Sequence, residues 1–257
     1  MRQLLERIAE AVQKRIAELP TGFDGSEQVS VGASGSPTSR IDKLAEDVVI
    51  DFVRTSELDM NILSEEAGMQ DIGSERTLVV DPVDGTANFH SEIPFYAVSL
   101  ALGSSRLGDV THGLVRNLVS GETYYAEKGK GAWLDDVSIS TREFEPGSSL
   151  FLAYVGNRTD ASTWKVAEKV RRIRSLGCAS LEMCHIGRGM ADGFYFNCLD
   201  LKKRMRIVDI AASALVLREA GGELFNMDGK VLDMAFSLDD RSNFLALGDP
   251  GAKEMIL

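Results

Sequence analysis

Nothing in this sequence of 257 residues is apolar for long enough to span a bilayer, and its N-terminus reads as a periodic, charged helix rather than a signal peptide. These two absences predict a cytoplasmic protein that makes no use of a membrane. Cysteine is scarce. Cys178, Cys184 and Cys198 are odd in number, sit among apolar and small neighbours, and lack the paired spacing of a zinc site, so buried reduced thiols are expected. The three histidines, His90, His112 and His185, are scattered and are expected on the surface or in packing rather than in catalysis. Positive charge is also short: 28 Lys and Arg stand against 39 Asp and Glu, a formal net charge of -11, which opposes binding to a nucleic acid polymer or an anionic membrane. No internal repeat of fixed period and no low-complexity tract is present.

What is present centres on Val79-Val80-Asp81-Pro82-Val83-Asp84-Gly85-Thr86-Ala87-Asn88-Phe89. Thr77 to Val80 is short and rich in β-branched residues, which suits a buried strand delivering Asp81 to a rim at its carboxyl end. Pro82 fixes φ and keeps the chain extended, so Asp81 and Asp84 can converge while the Val83 carbonyl turns to the same spot. Gly85 allows close backbone approach, and Gly85-Thr86-Ala87 can open a helix whose free amides face a phosphate oxygen. Taken singly, each aspartate also fits a plain turn or helix cap. An EF-hand loop wants acids at alternate positions ahead of its glycine, and an aspartyl phosphatase of the haloacid-dehalogenase type wants them two apart; these stand three apart.

The nonapeptide from Asp81 to Phe89 resembles the D-P-[IV]-D-G-T-x-N-F signature of the inositol monophosphatase superfamily, metal-dependent phosphatases that also include archaeal-type fructose-1,6-bisphosphatases and nucleotide 3'-phosphatases. Further segments resemble the same superfamily. Gly35 to Asp42 is similar to the stretch whose aspartate pairs with the signature threonine, here Asp42 with Thr86. Met60 to Leu63 reads as a strand ending in Glu65-Glu66, and the resemblance makes Glu65 a ligand and Glu66 a supporting or surface residue. Ile207-Val208-Asp209-Ile210-Ala211-Ala212, with Ala220-Gly221-Gly222 downstream, resembles the second signature, W-D-x-A-A, with Val208 in place of tryptophan.

The resemblance implies the five-layer αβαβα sugar-phosphatase fold, an α/β (α+β) architecture, and commonly a homodimer. The periodic pattern is compatible with it: amphipathic helices at 2–19 and from Ile41 to Phe52, a strand-rich stretch from Phe95 to Ala126, a glycine-rich hairpin at 127–136, then alternating strands and helices. The helices of the second half are expected at 160–172, 179–190 and 207–220. The apolar pattern lapses around Ser138 to Pro146, which predicts an N-terminal half, 1–140, carrying most ligands, and a C-terminal half, 141–257, supplying Asp209 and substrate contacts. Residues 20–37 read as a loop with a short hairpin near Val29 and Val31, either a lid or a connector.

By resemblance, one metal takes Glu65, Asp81 and the Val83 carbonyl, and a second takes Asp81, Asp84 and Asp209; a third near Glu65 remains open. An all-oxygen set suits Mg²⁺ or Mn²⁺, and such cations would offset the repulsion between an acidic protein and an anionic substrate. The resemblance further implies direct attack on phosphorus by an activated water, oriented by Thr86 and Asp42 with help from Glu65, while the Gly85 and Thr86 amides hold phosphate oxygens. Arg174 to Ser180 is similar to a sugar-contacting segment, which nominates Arg174, Ala179 and Ser180, with Asp84, as substrate contacts. The run Lys202, Lys203, Arg204 and Arg206 reads either as a solvated approach to a helix or as a pocket for a second phosphate, with Lys202 and Arg204 as its contacts. The expected activity is hydrolysis of inositol 1-phosphate, fructose 1,6-bisphosphate or both. A nucleotide 3'-phosphatase and a non-catalytic metal- or polyphosphate-sensing regulator are the alternatives.

Overall fold

A computed structural model describes every residue except Thr21, Ser34 and Ser36. Ser36 of the Gly35–Asp42 segment, and Thr21 and Ser34 of the loop at 20–37, lie outside the described residues. Helix α1 (Arg2–Ala17) buries Leu5, Ile8, Ala9, Val12 and Ile16, the stripe expected of an amphipathic helix, and stops two residues earlier than predicted. Strands β1 (Gln28–Val31) and β2 (Pro37–Ser39) pair antiparallel as the predicted short hairpin. Helix α2 (Arg40–Thr55) follows at once, and Ser39 caps it by accepting the Asp42 amide at 3.4 Å.

The first sheet holds β3 (Asn61–Ser64), β4 (Gly68–Gln70), β5 (Thr77–Asp84), β6 (Ala97–Gly103), β7 (His112–Asn117), β8 (Thr123–Glu127), β9 (Gly131–Leu134) and β10 (Val137–Ile139), in the order β10-β9-β8-β7-β6-β5-β3-β4. Its one parallel pair is β3 with β5, and the short helix α3 (Thr86–His90) interrupts the passage from β5 to β6. The second sheet holds β11 (Leu150–Ala153), β12 (Arg172–Arg174), β13 (Gly193–Phe196), β14 (Glu223–Phe225) and β15 (Phe244–Leu247), in the order β12-β11-β13-β15-β14. Helices α4 (Ser162–Lys169), α5 (Ala179–Gly187), α6 (Ile207–Glu219) and α7 (Lys253–Ile256) accompany it.

Side-chain alternation along the strands sets the layers. In the first sheet Leu78, Val80, Val98, Leu100 and Leu114 pack outward on α1 and α2, whereas Val79, Ala97, Ala101 and Val115 pack inward. In the second sheet Phe194, Phe196, Phe244 and Ala246 face inward, while Phe151, Tyr195, Leu245 and Leu247 meet Val166 of α4 and Ile256 of α7. Helices α5 and α6 fill the space between the sheets, which completes the five layers α1/α2, sheet, α5/α6, sheet, α4/α7. Burying each such large apolar side chain contributes about 1.5–3 kcal/mol. Helix α6 is buried without a break from Ile207 to Leu217 because both of its sides meet a sheet. Its small residues bring it close to β7: a Cβ on Gly113 would lie 2.6 Å from the Ala212 carbonyl oxygen. Among the described residues, no helix is long and apolar enough to cross a membrane.

Two local departures from expectation have clear causes. The strand expected to end at Val80 runs on to Asp84, with the register against β6 shifting between Asp81 and Asp84; Pro82, which has no amide to give, sits in that bulge without costing a ladder bond. The helix expected over 160–172 covers only Ser162–Lys169, because the Asp160 carboxylate accepts the Ser162 amide at 2.8 Å and Val170 is already extended.

Candidate active site

The parallel register of β3 on β5 pairs Ser64 with Val80, so the next residues, Glu65 and Asp81, emerge side by side. Asp209 joins them from the first turn of α6, where its Oδ2 accepts the Arg206 amide at 2.7 Å. Glu65, Asp81 and Asp209 each offer a carboxylate oxygen, and these oxygens lie within 4.8 Å of one another. Asp81 is only 4% exposed rather than at an open rim, since the strand continues past it; its Oδ1 accepts the Val83 amide at 3.1 Å. Burial first, then the neighbouring carboxylates, pushes Asp81 well above the usual range. Burial likewise raises Glu65 to about 7, against the opposing pull of Arg206.

Beyond the bulge, Gly85 takes a φ of 92°, and a Cβ there would lie 3.1 Å from the Phe95 carbonyl oxygen, so the turn into α3 requires glycine. The Thr86 hydroxyl lies 2.9 Å from both the Val83 carbonyl oxygen and Asp42 Oδ1. It has one proton for two acceptors. Burial raises the Asp42 carboxyl above its usual value, and the Ser39 hydroxyl, 2.6 Å from Asp42 Oδ2, fixes its rotamer. The predicted pairing of Asp42 with Thr86 is therefore in place. Asn88, 8% exposed, donates to the Phe95 carbonyl at 2.8 Å and the Leu176 carbonyl at 2.7 Å, which ties α3 to the approach of α5.

Asp84 is held from the other half of the chain. Its Oδ2 accepts the Ser180 amide at 2.6 Å, the Ser180 hydroxyl at 2.6 Å and the Cys178 thiol at 3.2 Å, so Oδ1 is the oxygen left for a cation. Burial raises the Asp84 carboxyl, and the Ser180 bonds oppose that rise. Ser180, predicted as a substrate contact, is fully buried and spends both polar groups on Asp84. Ala179 does line the cavity beside Asp84, a space of about 270 Å³ walled also by Tyr154, Phe194, Phe196, Met205 and Lys203. Larger clefts, of about 440 and 430 Å³, lie against α1 and beside the end of α2, away from these carboxylates.

Of the basic run, Lys203 reaches this cavity. Lys202, on the same 3₁₀ turn, does not line it, and Arg204 turns its Nε to the Cys198 carbonyl at 3.3 Å. Arg174 is exposed, with its guanidinium on its own neighbour's carbonyl, the Ile173 oxygen, at 2.8 Å. Arg206 was not predicted as a site residue. Its Nη2 bridges Glu65 Oε1 and, at 3.5 Å, Asp209 Oδ1. Glu182 was also missed: buried below the cavity, it accepts the Leu176 amide at 3.0 Å, and burial lifts it to about 8. Glu66 accepts the Thr38 hydroxyl, and its carbonyl takes the Ala33 amide at 2.7 Å, which fastens the β1–β2 hairpin beside the site. His185 packs edge-on against Phe95, and no histidine joins the carboxylate cluster among the described residues.

The donor set fits hard divalent cations. It is all oxygen, it is buried, and the carboxyls driven upward by crowding and burial are relieved by positive charge.

Comparison with known proteins shows which family the chain resembles over its length. Residues 1–254 match the inositol monophosphatase family. A fructose-1,6-bisphosphatase/inositol-1-monophosphatase of Methanothermobacter thermautotrophicus is 34% identical over 264 residues, covering 98% of this chain and 93% of the relative. A bifunctional NADP phosphatase/NAD kinase of Methanococcus maripaludis is 31% identical over 279 residues, covering all of this chain but 48% of the relative. The crystal structure of an inositol monophosphatase-fructose 1,6 bisphosphatase superimposes with a TM-score of 0.88 at 31% identity, covering 100% of this chain and 98% of that one.

Proposed function

Since the chain belongs to the inositol monophosphatase family and is a phosphatase, we propose that it hydrolyses small sugar phosphates, inositol 1-phosphate and fructose 1,6-bisphosphate, in a Mg²⁺-dependent reaction. The observation that carries this reading is the meeting of Glu65, Asp81 and Asp209 beside the Thr86–Asp42 pair. Glu65, Asp81 and the Val83 carbonyl would hold one cation, and Asp81, Asp84 Oδ1 and Asp209 a second; Mn²⁺ suits the same oxygens. When bound, such cations acidify a water molecule and offset the charge of the phosphate.

The chain's own residues do the rest. Thr86 Oγ, shared between the Val83 carbonyl and Asp42 Oδ1, orients the attacking water and accepts its proton while passing its own to Asp42. Burial makes the Asp42 carboxylate a better proton acceptor than an exposed one. The Gly85 and Thr86 amides, at the start of α3, hold phosphate oxygens. Lys203 lines the same cavity as Asp84, where a second phosphate would need a cation. Phosphate release measured from both substrates, with and without Mg²⁺, in the native protein and in Asp84→Asn, tests this reading. Loss of turnover with Asp84→Asn supports it; no turnover of either sugar phosphate by the native protein would overturn it in favour of nucleotide substrates.

A second reading rests on the cavity wall. Tyr154 and Met205, both part-exposed and backed by the buried rings of Phe194 and Phe196, give the cavity an apolar wall against which a flat base can lie, and one relative is named for NADP phosphatase activity. NADP and a nucleoside 3',5'-bisphosphate belong in the same assay, and preference for either would displace the sugar reading. We also propose a homodimer, for which the sedimentation coefficient is the check.

A further inference from the structure

Arg206 stands where a cation is wanted and is itself one. Its Nη2 bridges Glu65 Oε1 and Asp209 Oδ1, which are the outer members of the two proposed ligand sets. Its backbone amide also holds Asp209 Oδ2 at 2.7 Å, so the residue grips that carboxylate from two directions. The side chain is only 11% exposed, and its Nε and Nη1 are buried without a hydrogen-bond partner among the described residues. A buried guanidinium usually satisfies most of its donors, because each one left bare has given up its bonds to water with nothing in return. This one leaves two of its three nitrogens bare and keeps the bridge. Charge explains the exchange: without a counter-cation, the crowded carboxylates repel one another in a medium that screens them poorly.

From this we infer that Arg206 is a resident counter-cation that competes with divalent metal for Glu65 and Asp209. The inference rests on the metal-binding reading proposed above. In the metal-free protein the guanidinium balances part of the carboxylate charge and keeps the site assembled. As Mg²⁺ enters, the guanidinium must release one or both carboxylates, or stay close to the ion and repel it. Either way the apparent affinity is lowered. A cation additional to the two proposed ones has no place near Glu65 while Arg206 remains there, so the residue also limits how many ions the site takes. The two unpartnered nitrogens make its present pose a costly one to keep, which is what a displaceable group requires.

The test is calorimetric titration of the metal-stripped protein with Mg²⁺, comparing native, Arg206→Gln and Arg206→Lys, with the melting temperature of each stripped form as a second reading. Arg206→Gln, which keeps hydrogen bonding but loses the charge, is expected to bind Mg²⁺ at least tenfold more tightly and to melt lower when stripped. Arg206→Lys keeps the charge without the fork and should fall between the two. Should Arg206→Gln fail to fold without metal, Arg206→Lys decides, with about threefold tightening expected. Equal or weaker Mg²⁺ binding by the folded variants overturns the inference and makes Arg206 a support for metal. Absence of Mg²⁺ binding in every form, the native protein included, would instead remove the metal-binding reading on which it stands.

Discussion

Glu65 follows the end of β3, and Asp81 and Asp84 lie in the bulged final stretch of the neighbouring β5, whereas Cys178, Ser180, Lys203 and Arg206 approach the same place from turns and helix starts of the second half. The two sides do different work. Strand ends fixed by a hydrogen-bonded ladder give the carboxylates positions that depend little on their own charges, so the sheet can hold them together against repulsion. The second half contributes Asp209 and then spends most of its polar groups on the first half's carboxylates rather than on open space. Rigidity thus sits on one side and compensation on the other.

The comparison breaks most visibly at the sheet. Asp81→Asn should lower kcat/KM by about a thousandfold or more, the scale of losing a central charge-stabilising group, and yet raise the melting temperature of the metal-stripped protein, because it removes the carboxyl that burial disfavours most when charged. A variant equally inactive but less stable without metal would show that Asp81 supports the fold rather than strains it. Thr86→Val and Asp42→Asn should each reduce kcat by about a hundredfold or more, with little change in KM; steady-state kinetics in saturating Mg²⁺ separates the two constants. A rise in KM alone would make the pair a substrate contact.

On the second side the effects should be smaller and selective. Lys203→Ala should raise KM for fructose 1,6-bisphosphate about tenfold, the scale of one charge-assisted contact, and leave inositol 1-phosphate unchanged, while Lys202→Ala should alter neither. The reverse result would move the second-phosphate contact to the outer face of the turn. Smallest is the pH effect. Glu65 is raised to about 7 in the folded, metal-free protein from the 4.5 of a free glutamate, so the folded state holds more protons between those values. Its contribution to stability is fully present at low pH, falls as pH rises through that window, and is flat above it. Melting of the stripped protein should therefore rise modestly on acidification from about pH 7.5 to 5.5, and Mg²⁺ should abolish the trend. Proton release on Mg²⁺ binding, largest just below pH 7, is the calorimetric counterpart.

Legibility followed the same division. Asp81, Val83, Asp84, Gly85 and Thr86 are contiguous, so their nearness was readable from spacing, and Asp42, Glu65 and Asp209 were brought in by resemblance; the structure groups Glu65, Asp81 and Asp209 and bonds Thr86 to Asp42. The five-layer arrangement came with the resemblance, whereas individual strands and the stripe on α1 were readable because alternation and helical periodicity are local patterns. The helper residues were not. Arg206 acts on Glu65 across 141 positions of sequence, and an arginine closing a basic run ahead of a helix carries no signal of which carboxylate it will reach. Lys203 differs from Lys202 by one step of a 3₁₀ turn, about 120° of rotation, which composition does not encode. Ser180 was noticed for the right neighbourhood and the wrong partner: its hydroxyl serves Asp84 because Cys178 and the bulge at Pro82 bring that carboxylate within reach.

The close passage of α6 over β7 bears on how such a protein can be made more durable. Replacing glycine by alanine often strengthens a protein by reducing the freedom of its unfolded chain, by about 0.4–1 kcal/mol where the native backbone tolerates it. Gly113 is a strand position that invites this substitution, and it is closed to it: the added methyl would meet the Ala212 carbonyl at 2.6 Å. Relief would come by lifting α6, and Asp209 rides on the same helix less than a turn away. A routine stabilising change far from any substrate would therefore be felt first as weaker hold on metal.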